Sequence, residues 1–115
     1  MPGLARLTVA LLVLGGATVG NASHLTVAEC FEGSDFIANA AQARENGVSR
    51  AQFLGRMEDD FELIHAYPPQ LRWFAKDYDD EAFLREAARQ VFDTPGTPEQ
   101  HRARFLSACL SRTDV

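Results

Sequence analysis

Lysine is almost missing from this chain: ten of its eleven basic residues are arginine, and Lys76 is the exception. Cysteine is also scarce. With only Cys30 and Cys109, the sequence has no Cys-x-x-Cys pair, which leaves a dithiol redox site and a zinc ribbon without ligands. Strand signals are lacking, because no run of alternating β-branched residues occurs after Val27. Positive charge is in deficit, with 11 Lys+Arg against 16 Asp+Glu and a net charge of −5. An acidic surface of this kind disfavours nucleic acid and anionic lipid headgroups as partners. Repeats and low-complexity tracts are absent, and eight Phe within 46% hydrophobic residues argue against disorder. At 115 residues, the chain suffices for one folded domain.

Only one long apolar run is present, Leu7–Val19, and it is uncharged and rich in Leu, Val and Ala. At 13 residues it is shorter than the ~20 that a membrane-crossing helix needs. Arg6 and the amino terminus precede it, and the small residues Gly20, Asn21 and Ala22 follow. This order of basic, apolar and small segments is that of a secretory signal. A cut after Ala22 is expected, with a second candidate after Ala28. The expected organisation is therefore a signal peptide over 1–22 and a helical domain over 23–115, exported to the periplasm or secreted, with no stable membrane span after cleavage. Glu29, immediately before Cys30, is not the small residue that precedes a lipidated cysteine.

In an exported chain an even pair of cysteines reads as a disulfide. A Cys30–Cys109 bond closes a loop of about 80 residues, for which chain entropy gives roughly 4–5 kcal/mol. The remaining patterning is helical, and the reading is all-α: a compact four- or five-helix domain with one disulfide. A first helix is expected near Gly33–Asn46. Gly47 ends it, and Ser49 and Gln52 form a capping box for a second helix over Arg50–Tyr67. Phe53, Leu54, Met57, Phe61 and Ile64 share one face of that helix, with Glu58, Asp59 and Glu62 opposite. Pro68-Pro69 stops it, and a short turn follows to Ala75. Asp79 is read as the cap of a helix over Asp80–Phe92, with Glu81 and Arg85 spaced to pair. Thr97, Pro98 and Gln100 open a last helix that runs to about Arg112.

Signals for chemistry are sparse, and no catalytic residue, cofactor or metal ligand is assigned. Glu62 and His65 have a Glu-x-x-His spacing, but the second copy that a di-iron bundle needs is missing. His65 reads as a half-buried packing residue and His101 as exposed. The acidic stretch Asp77–Glu81 fails as a calcium loop, with Ala82 and Ala88 at the positions that require Gly and Glu. No serine lies in a Gly-x-Ser-x-Gly context. Asp60, Arg102 and Arg44 fall on or beside apolar faces, where charges must pair or reach water. Asp60 is expected to pair with Arg102 or Arg44 across the bundle. The segment Tyr67–Phe74 supplies Tyr67, Arg72 and Trp73, residue types that dominate protein contacts, and these are the candidate partner contacts.

With Cys30, the Ala40–Arg44 stretch running into Gly47 and Ser49, and Cys109, the chain resembles a group of small exported bacterial proteins. That group shares an early cysteine, an Ala/Arg-rich helix leading into an Arg-x-x-Gly-x-Ser turn, and a late cysteine. It is also similar, in size and helicity, to secreted-toxin immunity proteins and to acid-stress periplasmic chaperones. The immunity proteins usually carry more cysteines, and neither likeness carries over a functional residue. The expected function is that of a non-enzymatic, exported helical protein that binds another protein or the cell envelope. The rival expectation is a small hydrolase or metal-binding protein using His65, Glu62 and nearby acids.

Overall fold

The computed structural model describes residues 25–113. The expected signal peptide lies outside the described residues. Four α-helices and one 3-10 turn make up the described chain: α1 (Val27–Glu45), α2 (Arg50–Ile64), the turn Pro69–Leu71, α3 (Tyr78–Asp93) and α4 (Pro98–Leu110). No strand occurs among the described residues.

Caps set the boundaries. The Thr26 hydroxyl accepts from the Glu29 amide, and the Glu29 carboxylate accepts from the Thr26 amide, so α1 starts six residues before the expected Gly33. Gly33 therefore lies inside the helix, where the Phe74 and Phe105 rings occupy the space a side chain would take. The far end of α1 closes as a Schellman motif. Val48 N–H bonds the Ala43 carbonyl and Gly47 N–H bonds the Arg44 carbonyl, with Gly47 at φ 97°. Ser49 and Gln52 cap α2 as expected. The helix ends at Ile64 rather than Tyr67, because Tyr67 precedes a proline and the last turn tightens into i→i+3 bonds from Ala66 and Tyr67. Asp77, not Asp79, caps α3, its carboxylate accepting from the Asp80 amide. Thr97, Gln100 and Pro98 open α4 as expected, and it ends at Leu110.

Cross-links fix the topology. Cys30 is disulfide-bonded to Cys109, Asp35 pairs with Arg102, and Arg44 reaches Gly96, so α1 and α4 run antiparallel. Contacts of Arg50 with Asp93, Glu58 with Arg85 and His65 with Glu81 make α2 and α3 antiparallel as well. Glu29–Lys76 and Arg44–Val91 make α1 and α3 parallel. The result is an up-down-up-down bundle, the arrangement that short connections favour. Its most extensive packing is α1 on α4, followed by α1 on α3 and α2 on α3.

Cys30, Ile37, Ala40 and Ala41 from α1 meet Met57 and Phe61, Leu84, Ala88 and Val91, and Phe105 and Cys109 in the core. The aromatic residues form a relay. Phe92, Phe53, Phe36, Trp73, Phe74 and Phe105 follow one another at centroid spacings of 5.5–5.8 Å. Phe74 is fully buried at the end of the bundle, with φ at 56°, a left-handed backbone that costs a bulky residue roughly 1–3 kcal/mol. Its ring contacts with Trp73, Phe83 and Phe105 hold it there.

Candidate functional site: an apolar groove beside Trp73

Beside the core, an open groove of about 500 Å³ lies between α1, α2 and the chain leading into α3. Residues Met57, Phe61 and Ile64 stand at i, i+4 and i+7 on one face of α2 and form its long side. Phe36 and Trp73 make the opposite wall, Leu84 of α3 also lines it, and Leu63 and Asp60 stand at the rim. Leu63 is 69% exposed and Trp73 39%, high values for large apolar side chains in a domain this small.

The wall is fixed in place. The Trp73 indole N–H donates to the Glu32 carboxylate at 3.0 Å, and its ring rests on Phe36 at 5.8 Å. The left-handed backbone at Phe74 sends that side chain into the core while its neighbour Trp73 stays at the groove. Arg72 ties the corner together by donating to the Tyr67 carbonyl at 2.8 Å and the Lys76 carbonyl at 3.4 Å. Of the three expected contact residues, only Trp73 lines the groove. Tyr67 is exposed on the adjoining corner, and the Arg72 guanidinium is engaged with backbone carbonyls.

Charged side chains brace α2 against α3. Arg85 holds Glu58 through two bonds of 2.5 and 3.0 Å, lies 3.8 Å from Glu81, and packs over the Phe61 ring. Its guanidinium lowers the Glu58 pKa below the usual carboxylate range, and Glu58 in turn raises that of Arg85. Glu81 is buried and meets His65 Nε2 at 2.5 Å. The expected Glu81–Arg85 pair is thus part of a larger network joining the two helices. Among the groove-lining residues Asp60 is the one acid, with Arg56 3.8 Å from it, while Asp59 and Glu62 are exposed on the opposite face of α2.

The structure corrects the expected ion pair. Asp60 meets neither Arg102 nor Arg44. It is exposed at the groove rim on α2, 3.8 Å from Arg56. The reason is topological: α2 packs on α3, whereas Arg102 sits on α4, whose main neighbour is α1. Arg102 therefore pairs with Asp35 and Glu99. Arg44 does turn inward, but its partners are the Val91 and Gly96 carbonyls at 2.6 and 2.7 Å. Glu62 is exposed and does not share a site with His65, whose partner comes from α3. Among the described residues, no group of three or more His, Cys, Asp or Glu could hold a metal ion. Ser34 donates to the Phe31 carbonyl, Ser111 donates to the Ala108 carbonyl, and Ser49 caps α2.

One buried polar residue differs from its sequence reading. His101 is 2% exposed, and it lines a cleft of about 130 Å³ between α3 and α4 with Ile37, Phe83, Gln90, Arg104 and Phe105. Arg104 can only donate, so its 3.1 Å contact assigns His101 Nδ1 as acceptor and puts the proton on Nε2, which is buried without a hydrogen-bond partner. Burial lowers the His101 pKa below 6.5, and Arg104 and Arg44 lower it further, with the Thr94 backbone opposing. Sequence periodicity holds no hint of this, because the turn before α4 covers the ring. Gly96 is a usable signal: a Cβ there would lie 2.9 Å from His101 Nε2.

No helix among the described residues is long and apolar enough to cross a membrane. No family model, curated protein or solved structure matches the chain.

Proposed function

We propose that this chain is an exported, disulfide-stapled helical protein that acts without catalysis, by holding another protein in the groove beside Trp73. The observation that carries the reading is the groove itself, whose aromatic wall is braced open by the Glu32–Trp73 bond while Leu63 is left in solvent. Burying such anchors in a partner's pocket is where most interface energy is gained. Export is supported by the signal-like order of residues 1–22 and by the Cys30–Cys109 bond, which suits an oxidising compartment.

The test uses the full chain with its own leader, expressed in bacteria. A photo-crosslinking residue replaces Leu63 at the groove or Arg89 on α3 as a control. The crosslinked species are identified, purified and titrated against the exported domain. The expected result is one dominant adduct from position 63, bound directly by the purified domain and lost on Leu63→Asp with the helix content intact. Equal adducts from both positions, or none from position 63, would overturn the proposal. Intact mass of the envelope fraction tests export: a chain beginning at Ser23 with no free thiol is expected.

A further inference from the structure

We infer that His101 and the turn above it form an acid-sensitive latch: protonation of the ring lifts the 94–97 turn while the rest of the bundle stays closed. The inference is independent of the groove and of any partner. His101 is 2% exposed near the start of α4, and its Nδ1 accepts from Arg104 at 3.1 Å. A protonated imidazole carries hydrogen on both nitrogens and an arginine only donates, so this contact exists with the neutral ring alone. Burial opposes a positive ring, and Arg104 on α4 and Arg44 on α1 repel it. The acids on the surrounding elements are engaged elsewhere. Glu86, at the α3–α4 cleft, lies 3.5 Å from Arg89, Asp93 is held by Arg50, Glu99 lies 3.2 Å from Arg102, and Glu45 lies 3.7 Å from Arg44. The Thr94 backbone favours the charged ring, and it belongs to the turn itself. That turn blocks the ring's way to water: a Cβ on Gly96 would stand 2.9 Å from His101 Nε2 and 3.1 Å from its Cδ2. Arg44 clamps the turn, donating to the Gly96 carbonyl at 2.7 Å and to the Val91 carbonyl at 2.6 Å. A ring that takes up a proton must reach solvent, which requires Gly96 to move and its bond to Arg44 to break. The rest of α4 has its own ties to α1, the Cys30–Cys109 bond and the Asp35–Arg102 pair, and neither passes through His101. The departing ring leaves one end of the cleft it shares with Ile37, Phe83 and Phe105 accessible. Because the closed ring titrates below its ordinary 6.5, acid draws the equilibrium toward the open turn. Between those two values, each pH unit raises the ratio of open to closed by up to about tenfold.

The protein is expressed with its own leader and purified with its disulfide intact. Nuclear magnetic resonance then follows the His101 ring and the exchange of single amides at about pH 7.5 and about pH 5, each rate corrected for the intrinsic effect of pH. The amides of Thr94 and His101, which bond the Gln90 and Thr97 carbonyls, report the turn. Those of Phe61 in α2 and Cys109 in the last turns of α4 report the remaining bundle. The expected result is a loss of protection of at least about tenfold at Thr94 and His101 at the lower pH, with Phe61 and Cys109 unchanged and the His101 ring titrating over the same range. In His101→Gln the turn keeps its protection. Arg104→Gln removes a repelling charge from an exposed position, so the ring titrates nearer 6.5 and the loss at the turn is smaller. A turn that stays protected at about pH 5, whether or not the ring titrates, would overturn the latch. Loss shared equally by Phe61 and Cys109 would do so as well, since the whole bundle then opens, and so would an equal loss in His101→Gln. Should that variant not fold, Arg104→Gln decides alone, and an unchanged titration with an unchanged loss at the turn sinks the inference.

Discussion

Replacing Gly33 with alanine tests how closely α1 and α4 approach. A methyl group at this position would lie 2.8 Å from Phe105 Cε2, 2.8 Å from Phe74 Cε2 and 2.9 Å from Phe105 Cζ. Carbon atoms in contact normally sit about 3.5–4.0 Å apart, so both rings must retreat by more than half an ångström. Neither has free space, since Phe74 is 0% and Phe105 4% exposed and the two rings touch each other. Overpacking of this kind costs about 1–3 kcal/mol. Alanine's better helix propensity returns about 1 kcal/mol, leaving a net loss of roughly 0–2 kcal/mol. Gly55 is the matched control. It lies in α2, and a methyl group there would meet nothing within 4 Å, so Gly55→Ala should stabilise by about 0.5–1 kcal/mol. Urea unfolding of the oxidised domain, followed by far-ultraviolet circular dichroism, measures both. The difference between the variants isolates the packing cost at about 1–3 kcal/mol. Native Trp73 emission should also shift in Gly33→Ala alone, because the Phe74 ring that must move lies 5.5 Å from it. If Gly33→Ala stabilises as much as Gly55→Ala, the close packing of α1 on the two rings is refuted.

Opening the disulfide, by reduction or by replacing Cys30 and Cys109 together with Ala, should cost about 4–5 kcal/mol, because the bond closes a span of 79 residues. An unchanged denaturation midpoint after reduction would count against that account. Lowering the pH from about 7.5 to about 5 should weaken the fold through His101. Its folded pKa lies below the unfolded value of 6.5, so the unfolded chain takes up the proton first and stability drops as the pH falls. His101→Gln should flatten stability over this range, and a slope identical to that of the parent would exclude His101 as its source. Arg44→Lys should destabilise by about 1–2 kcal/mol, because an ammonium cannot direct two donors at the Val91 and Gly96 carbonyls. Asp60→Ala should change stability by less than about 0.5 kcal/mol, given its exposure and long contact with Arg56. Thermal unfolding of the two variants distinguishes a buried clamp from a surface charge.

Local rules read much of this chain. The boxes Ser49–Gln52 and Thr97–Gln100, with Pro98 after Thr97 and Gly47 after α1, are interactions among residues within five positions of one another, and they are legible directly in the sequence. Thr26–Glu29 is the same device and equally readable, and it starts α1 six residues before the expected Gly33. The cysteine pair allows only one internal bond, so its partners need no geometry. Periodicity also picks out Met57 and Phe61 of α2 for the core.

What the order of residues determined by itself was therefore helix type, approximate helix ends, the inward faces and the single sulfur bridge, because each depends on neighbours along the chain or on simple counting. Only tertiary packing decided the partners of Asp60, Arg102 and Arg44, the burial of His101 and the groove beside Trp73. A helical pattern gives the direction of a side chain around its own axis but not which neighbouring helix stands opposite it. That choice followed from α2 resting on α3 while α1 closed against α4, and it left Leu63 in solvent beside the buried Met57 and Phe61.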